Sequence, residues 1–310
     1  MAVVSRELCA SVIVPVRDGR EHLRGLLAAL RAQTLPPAAF EVIVGDDGST
    51  DGGAADLDDA GGRVRALSGP RRNAYAARNR AAAAASAPVL AFCDADCRPE
   101  PGWLEAGLAA LAEADLVAGE IRFELPERPT IWTLLDIDTF KDHERQVRSA
   151  NAETANLFVR RELFERLGGF DDSLPAHGDF EFVARSVASG ARLAYAGAAA
   201  VTHPTRNTAR SFLQALWIMN HSYAVRETRA GCRPEGLKLR SWVPLVQTLR
   251  SRRRFGCSLG LDRRRMAAHG LHLRARDDLR ALPLMYVLMP YLCGAAQVRG
   301  WLDGRRMKMP

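Results

Sequence analysis

The chain has 310 residues, of which 47% are hydrophobic, so it can bury a substantial core as one or two domains. Its net charge of +7 is unevenly placed: residues 238–280 carry +9 and residues 281–310 carry +3, which leaves −5 for residues 1–237. The N-terminus lacks the basic, apolar and small-residue pattern of a signal peptide, so we expect a cytoplasmic protein with reduced cysteines.

The first predicted element is a strand that leads through a turn into a helix. Residues 10–16 (Ala-Ser-Val-Ile-Val-Pro-Val) are typical of a buried strand, and residues 17–19 (Arg-Asp-Gly) predict a turn. Apolar side chains then recur at helical spacing at Leu23, Leu26, Leu27 and Leu30. This spacing indicates a helix that packs one face against a sheet.

A second strand is predicted at residues 40–45 and is followed by two adjacent acids, Asp46 and Asp47. Gly48 permits a positive φ in the turn, and residues 49–51 (Ser-Thr-Asp) are candidates to cap a following helix. Capping does not account for Asp46 and Asp47, which repel each other at the end of a strand. Acceptors at this place can hydrogen-bond a nucleotide base or a ribose hydroxyl.

The third strand is predicted at residues 88–93, after a helix over residues 75–87, and it ends in Asp94-Ala95-Asp96. Carboxylates at a spacing of two suit a divalent hard cation that carries a phosphate ligand. An exposed turn without a ligand is the alternative. Because an open parallel sheet binds ligands beyond the carboxyl ends of its strands, we expect the three polar turns to converge on one edge.

Four segments in this order resemble the motifs of family 2 inverting glycosyltransferases, and they are Val14-Pro15-Val16-Arg17, Asp46-Asp47-Gly48-Ser49-Thr50-Asp51, Ala77-Arg78-Asn79 and Asp94-Ala95-Asp96. The resemblance covers roughly residues 10–205. It implies an α/β fold of the nucleotide-sugar-binding GT-A type, with an open, mostly parallel sheet flanked by helices. A mainly helical, basic C-terminal extension would follow.

The resemblance also implies roles for the motif residues. Pro15, Arg17 and one acid of the Asp46 and Asp47 pair would line the nucleoside pocket, and Arg78 would belong to the same nucleotide-sugar site. Asp94 would lie near the ribose and the diphosphate. Asp96 would hold a divalent cation, Mg²⁺ or Mn²⁺.

In the second half of the chain, residues 178–182 (Gly-Asp-Phe-Glu-Phe) match the catalytic acidic motif of that family. By this likeness Asp179 is the catalytic base. The family often has Glu-Asp here, whereas this chain has Gly178 before Asp179, so the support of the base is altered. A helix N-terminal acid stabilised by the helix dipole is the alternative for Asp179.

His203 follows a predicted strand at residues 192–195, in a loop that can fold over the diphosphate. Its imidazole can serve as a further metal ligand, and Arg206 can pair with a phosphate. A solvated loop histidine is the alternative, because nothing at local spacing completes a ligand set.

We predict two domains, a glycosyltransferase domain at residues 10–237 and a basic, partly apolar region at residues 238–310. Arginine clusters at 252–254 and 263–265 precede an uncharged run at residues 281–296. That run is marginal in length for a spanning helix. An interfacial or re-entrant hairpin on an anionic membrane is the first interpretation, and a helix buried over the catalytic domain is the second. A nucleic-acid site is the third, but no recognition motif appears.

The predicted activity is transfer of a hexose from a nucleoside-diphosphate sugar to the hydroxyl of a glycan or lipid-linked acceptor, with inversion and with a divalent cation. We expect it in cell-surface or lipid-linked glycan synthesis at the inner face of the cell membrane, without nucleic acid as a partner. The alternative is a non-catalytic nucleotide-sugar-binding or scaffolding protein of the same fold, for which Gly178 would be the first sign of lost activity.

Overall fold

The computed structural model describes residues 7–53, 57, 63–232 and 261–306. The chain divides into two compact units. The first unit comprises Met1–Arg122, Asp142–Ser173 and Gly178–His203, and the second comprises Phe123–Lys141, Leu174–His177 and Pro204–Pro310. The predicted domain boundary between residues 237 and 238 lies outside the described residues and stays a prediction.

Eight strands of the described chain form one sheet: β1 (Ala10–Val16), β2 (Phe40–Asp46), β3 (Val64–Ser68), β4 (Val89–Cys93), β5 (Arg98–Pro99), β6 (Leu116–Glu124), β7 (Asn156–Arg160) and β8 (Leu193–Pro204). Their order is β3-β2-β1-β4-β7-β6-β8-β5. Strands β3, β2, β1 and β4 are parallel, whereas β7 is antiparallel to β4 and β6, and β5 is antiparallel to β8. The sheet therefore has a parallel half and a mixed half.

The helices follow in chain order as α1 (Arg20–Arg31), α2 (Ala74–Ala83), α3 (Trp103–Ala110), α4 (Ile131–Thr139), α5 (His143–Val147), α6 (Arg161–Arg166), α7 (Gly178–Ala188), α8 (Ala209–Arg229), α9 (Arg263–Ala268), α10 (Ala275–Pro283) and α11 (Met289–Arg306). A short 3₁₀ helix spans Pro37–Ala39, and a π-helix, Leu284–Leu288, joins α10 to α11. Helices α4 and α8 to α11 belong to the second unit.

Both faces of the sheet are buried in the first unit, because β1 is apolar on both sides. Val12 and Val14 pack with the α1 leucines and Trp103 of α3, which confirms the predicted apolar face of α1. Ile13, on the opposite face, shares a core with Phe92 and with side chains of α2, α6 and α7. The first unit is a helix–sheet–helix sandwich, so ligands have access at the strand ends.

Helix α2 lies very close to the sheet. A Cβ at Gly45 of β2 would be 2.2 Å from the carbonyl oxygen of Ala77, so only glycine fits at this crossing. Asn73 caps α2 by accepting hydrogen bonds from the backbone N–H groups of Tyr75 and Ala76. The predicted alanine-rich helix is thus confirmed, although it ends at Ala83.

The parallel half of the sheet reverses its direction of winding at β1. The chain places β2 and β3 on one side of β1 and then β4 on the other. The carboxyl ends of β1 and β4 diverge at such a switch point, which is where open α/β sheets bind ligands. The acidic turns after β2 and β4 both lie at this edge.

In the second unit, α11 packs along α8. A Cβ at Gly300 would be 2.2 Å from the carbonyl oxygen of His221, so the two helices touch through their backbones. Ala281 and Met285 are buried in a core with Phe212 of α8. The predicted uncharged run is therefore helical and partly packed within its own unit. Among the described residues, no helix combines the length and apolar character needed to cross a membrane.

Candidate active site

The turns after β1 and β2 are bonded to each other. The backbone N–H of Asp18 donates to Ser49 Oγ over 3.0 Å, and Asp18 Oδ1 accepts from the N–H of Thr50 over 2.7 Å. Asp51 Oδ2 accepts from the N–H of Arg20, the first residue of α1, over 2.9 Å. Asp51 Oδ1 also accepts from the N–H of Gly53 over 3.0 Å. Residues 54–56 and 58–62 lie outside the described residues, so the prediction that Ser49, Thr50 or Asp51 caps a following helix stays a prediction.

These bonds fix the electrostatics of the turn. Backbone and hydroxyl donors of Thr50 lower the pKa of Asp18, and the backbone N–H groups of Gly53 and Arg20 lower the pKa of Asp51. Gly48 adopts φ +73°, as predicted for this turn. The turn is thus built on ionised carboxylates before any ligand arrives.

The two adjacent acids Asp46 and Asp47 differ in the bonds they make. Asp46 uses both oxygens inside the fold, since they accept from the N–H of Ser49 and from Ser68 Oγ at 2.9 and 3.0 Å. Asp47 accepts from the N–H of Arg72 through Oδ1 over 2.7 Å. Within the described part of the chain no residue donates to Asp47 Oδ2, so Asp47 retains an acceptor for a ligand.

Pro15 and Arg17 stand at the end of β1, next to these acids. Pro15 pairs in register with Gly45 and is partly buried, whereas Arg17 lies just beyond the strand and is exposed. The structure therefore brings Pro15, Arg17 and Asp47 to the same sheet edge.

Arg78 and Asp94 form an ion pair beside this edge. Arg78 Nη2 lies 2.5 Å from Asp94 Oδ1, and the Arg78 side chain is 6% exposed. Its guanidinium also lies over the Tyr75 ring, 5.4 Å from the ring centroid. Asp94 is paired with this guanidinium and its side chain remains 26% exposed, as expected for a residue that faces a ligand.

Asp96 and His203 are brought together by the pairing of β5 with β8. Arg98 pairs with Thr202, so the antiparallel register continues towards His203 and the acidic turn. His203 Nε2 lies 3.6 Å from Asp96 Oδ1. His203 is 6% exposed and lies within β8, so both the predicted loop position and the solvated alternative were wrong.

Cys97 completes a cluster with these two residues. One ligand atom each of Asp96, Cys97 and His203 lies within 4.8 Å of the others. Burial and the neighbouring Cys93 raise the pKa of the Cys97 thiol well above its usual value, and its Sγ donates to the carbonyl oxygen of Ala155. Sulfur is a soft ligand, whereas hard cations prefer oxygen, so the oxygen of Asp96 and the imidazole of His203 are the donors that fit one.

Asp179 lies in the first turn of α7 and is 8% exposed. Its Oδ1 accepts from the Tyr75 hydroxyl and from the N–H of Phe180, both over 3.0 Å. Its Oδ2 accepts from the N–H of Thr154 over 3.2 Å. Burial, and then the charge of Glu153, raise the pKa of Asp179 above its ordinary value.

Two other charged residues near these motifs have structural partners. Arg206, predicted to pair with a phosphate, instead donates to both oxygens of the fully buried Asp136 over 2.8 and 2.9 Å. Glu181 forms a two-bond ion pair with Arg185, at 2.8 and 2.9 Å. Asp179 is therefore the acid of residues 178–182 whose carboxylate is not bound by a cation.

Sequence reasoning missed Tyr75, Glu153 and Thr154, which surround Asp179. Tyr75 lies 104 residues and Thr154 lies 25 residues before Asp179 in the chain, and local spacing does not reveal such contacts. One signal was available in the sequence: Gly178 leaves room beside the acid for another side chain.

The sequence profile of Glycosyl transferase family 2 matches residues 11–168. AglE, a glycosyltransferase of Haloferax volcanii, is 34% identical over 203 residues, which are 63% of this chain and 67% of AglE. Pre-mycofactocin glycosyltransferase of Mycobacterium tuberculosis is 30% identical over 224 residues. That alignment covers 66% of this chain but 44% of the relative, so the chain spans less than half of that protein.

The fold is similar to that of the mannosyltransferase PcManGT from Pyrobaculum calidifontis, solved with GDP-Man and Mn²⁺. The TM-score is 0.62 at 18% identity, over 97% of this chain and 88% of that one. This likeness confirms the predicted fold class, an α/β sheet of the GT-A type with flanking helices and a helical C-terminal region. From the profile match and the relatives, the chain belongs to glycosyl transferase family 2 and is a glycosyltransferase.

Proposed function

We propose that this glycosyltransferase moves a hexose from a nucleoside-diphosphate sugar to an acceptor hydroxyl with inversion, and that Asp179 is its base. The observation that carries the proposal is the buried Asp179 carboxylate, which Tyr75 and Arg78 connect to Asp94 at the switch point of the sheet. Donor-binding and proton-accepting groups thus belong to one connected set of side chains.

The donor nucleoside would lie over the ends of β1 and β2. Asp47 is the acid of the pair that suits it, because its Oδ2 is not used by the described fold. Pro15 would pack against the nucleoside, and Arg17 and Asp94 would lie towards the diphosphate and the ribose. Asp46 would stabilise the turn through its bonds to Ser49 and Ser68 and would not contact the donor.

A divalent cation, Mg²⁺ or Mn²⁺, would be held by Asp96 and His203. The two ligand atoms, a carboxylate oxygen and an imidazole nitrogen, lie 3.6 Å apart and suit Mn²⁺ as well as Mg²⁺. When bound, the cation supplies positive charge next to the departing diphosphate. PcManGT, which has the same fold, was solved with GDP-Man and Mn²⁺, and this supports the assignment.

Asp179 would accept the proton of the attacking hydroxyl. Its pKa is raised by burial and by Glu153, which makes it a better proton acceptor than an exposed aspartate. Attack on the face opposite the leaving diphosphate is a single displacement and inverts the anomeric centre. General-base assistance contributes about 10²–10⁴-fold, so positioning of donor and acceptor must supply much of the remaining rate enhancement.

The acceptor would be a glycan or a lipid-linked saccharide at an anionic membrane surface. Leu279, Val287, Leu288 and Tyr291, which we call the tail face, are 70%, 54%, 41% and 48% exposed. They lie in the part of the chain that carries +12, whereas residues 1–237 carry −5. Exposed apolar side chains among basic residues suit an anionic leaflet. This placement supports a role in cell-surface or lipid-linked glycan synthesis at the inner membrane face.

A donor screen tests the proposal. Unfolding temperatures are measured with UDP-glucose, UDP-GlcNAc, GDP-mannose and the free diphosphates, with Mn²⁺, Mg²⁺ or EDTA. A donor at about 100 times its Kd stabilises the fold by about 2.7 kcal/mol. We expect a metal-dependent rise with one nucleotide class.

Turnover of the radiolabelled donor, with membranes as the acceptor source, then separates the enzyme from the alternative, a binding or scaffolding protein of the same fold. Binding without turnover would favour that alternative, which is considered because Gly178 replaces the acid often found before the base. Absence of stabilisation by every donor would contradict the proposal.

A further inference from the structure

Gly178, Tyr75 and Asp179 form a packed group whose parts depend on one another. A Cβ placed at Gly178 would be 3.0 Å from Cδ2 and Cε2 of the Tyr75 ring, closer than side chains ordinarily pack. Gly178 has no positive φ, so steric space and not backbone conformation is what glycine provides here. The missing side chain is therefore replaced by the tyrosine ring.

The Tyr75 ring is fixed on its other sides as well. Phe170 packs against it with the ring centroids 5.6 Å apart, and the guanidinium of Arg78 lies over the ring. Tyr75 is 7% exposed. In this position its hydroxyl has one acidic partner, Asp179 Oδ1, at 3.0 Å. The hydroxyl is held in place by packing and does not have to be ordered when a substrate binds.

We propose that Tyr75 is a positioning residue for the base, that its hydroxyl orients the Asp179 carboxylate, and that glycine at position 178 leaves the room that the tyrosine ring occupies. The proposal rests on the proposed function, in which Asp179 accepts the acceptor's proton. It assigns to Tyr75 the task of supporting the base.

The charges around Asp179 show why a donor is needed. Burial and the Glu153 carboxylate disfavour the ionised form, whereas Arg78 and the N–H groups of Thr154 and Phe180 favour it. An O–H that donates to a carboxylate stabilises the anion. Burial and the charge of Asp179 raise the pKa of Tyr75 well above its usual value. Tyr75 therefore stays protonated and remains a donor throughout the working pH range.

Tyr75→Phe keeps the ring and removes the hydroxyl. Loss of the donor raises the pKa of Asp179, and since only the ionised base is active, the acid limb of the kcat profile moves to higher pH. We expect a shift of about one pH unit, because a hydrogen bond to a charged group is among the stronger ones. Donor KM should stay unchanged, and kcat should recover as the pH rises.

Tyr195→Phe is the matched control. The Tyr195 hydroxyl also donates to a carboxylate, that of Glu120, and is not among the residues assigned to the site. Loss of the Tyr195 hydroxyl should leave the kcat–pH profile the same as that of the unmodified protein. If both hydroxyl deletions shift the profile equally, or if neither does, Tyr75 has no special role.

Gly178→Ala tests the steric part. The added methyl group should displace the Tyr75 ring and lower kcat several-fold in the unmodified protein. In the Tyr75→Phe background the same change should add little, because the hydroxyl it displaces is already absent. Equal losses in both backgrounds would overturn the link between Gly178 and Tyr75.

The assay measures nucleoside diphosphate released from the donor found in the screen, with membranes as the acceptor source, and includes Asp179→Asn. If Asp179→Asn turns over like the unmodified protein, the proposed function fails. If Asp179→Asn is inactive while Tyr75→Phe keeps the unmodified pH profile, this inference alone fails. A thermal-unfolding cycle of the Tyr75→Phe and Asp179→Ala variants, each of which removes the hydrogen bond, gives a readout without turnover. We expect non-additive changes, and additive ones would contradict the proposed contact.

Discussion

At the scale of single residues, the candidate site is a set of acids that the fold treats differently. Both carboxylate oxygens of Asp46 accept hydrogen bonds within the fold, Asp94 is paired with Arg78, and Asp179 is buried with its pKa raised. Asp96 lies beside an imidazole. All four acids are aspartates, so the environment of each one decides whether its role is structural, in ligand binding or in proton transfer.

Asp96→Asn should weaken metal-dependent nucleotide binding and leave the fold intact. Even outer-shell changes at metal sites cost about 10–100-fold in affinity, so loss of a direct ligand should cost at least tenfold. Calorimetry with a nucleoside diphosphate, with and without Mn²⁺, measures this. Glu113→Gln, a change to an acid that is 85% exposed, is the control. Unchanged Mn²⁺ dependence of nucleotide binding in Asp96→Asn would mean that residues other than Asp96 hold the metal.

The raised pKa of Asp179 predicts the pH dependence of turnover. The base acts in its ionised form, so activity is present above the folded-state pKa and is lost as the pH falls through it. Because burial and Glu153 raise that pKa, the loss should occur at a higher pH than for an ordinary aspartate, 3.8. A kcat profile that stays flat down to pH 4, in a protein that remains folded, would argue against Asp179.

At the scale of elements, the motif-bearing strands could be predicted because buried strands and glycine turns have strong local signals. The segment at residues 40–45 became β2, and Gly48 took the expected positive φ. The position of His203 could not be predicted, because it depends on pairing β8 with the two-residue strand β5. The contact of Tyr75 with Asp179 is equally non-local. Site residues that carry a motif were found, including Asp179 and His203, whereas Tyr75, Glu153 and Thr154, which meet Asp179 across elements, were missed.

Gly45→Ala tests the close crossing of α2 and β2. The new methyl group would meet the Ala77 carbonyl oxygen at 2.2 Å, so α2 must shift or distort. Overpacking of this kind costs about 1–3 kcal/mol. Chemical denaturation should show that loss in the free energy of unfolding, together with weaker nucleotide binding, because Arg78 lies on α2. Gly102→Ala, where nothing lies within 4 Å, should be nearly neutral. Equal effects of the two changes would contradict this packing.

At the scale of the whole molecule, the basic and apolar tail combines structural and exposed parts. Leu261, Met266, Ala281 and Met285 are buried in the core of the second unit, so deleting residues 238–310 would damage that unit as well as remove the tail face. The arginines at 252–254 lie outside the described residues. Substitution of exposed residues is therefore a cleaner test of membrane binding than truncation.

Val287→Ser and Leu288→Ser, made together, should weaken binding to anionic vesicles without unfolding the protein. The two side chains are 54% and 41% exposed, and serine changes apolar area but not charge. Basic residues should still contribute about 1 kcal/mol each near the leaflet, so residual binding should fall with salt. Flotation with anionic and neutral vesicles measures this, with Ile218→Ser as the control. A full-length protein that ignores anionic vesicles at low salt would contradict the membrane proposal.

The most direct test of the central claim compares transfer and donor affinity in Asp179→Asn. Asparagine keeps the size of the side chain and cannot accept the hydroxyl proton, so transfer of radiolabelled sugar should fall by about 10²–10⁴-fold. The calorimetric Kd of the donor should stay within about twofold, since the base acts after donor binding. Transfer at the unmodified rate, with the same Kd, would contradict the assignment of Asp179 as the base of this glycosyltransferase.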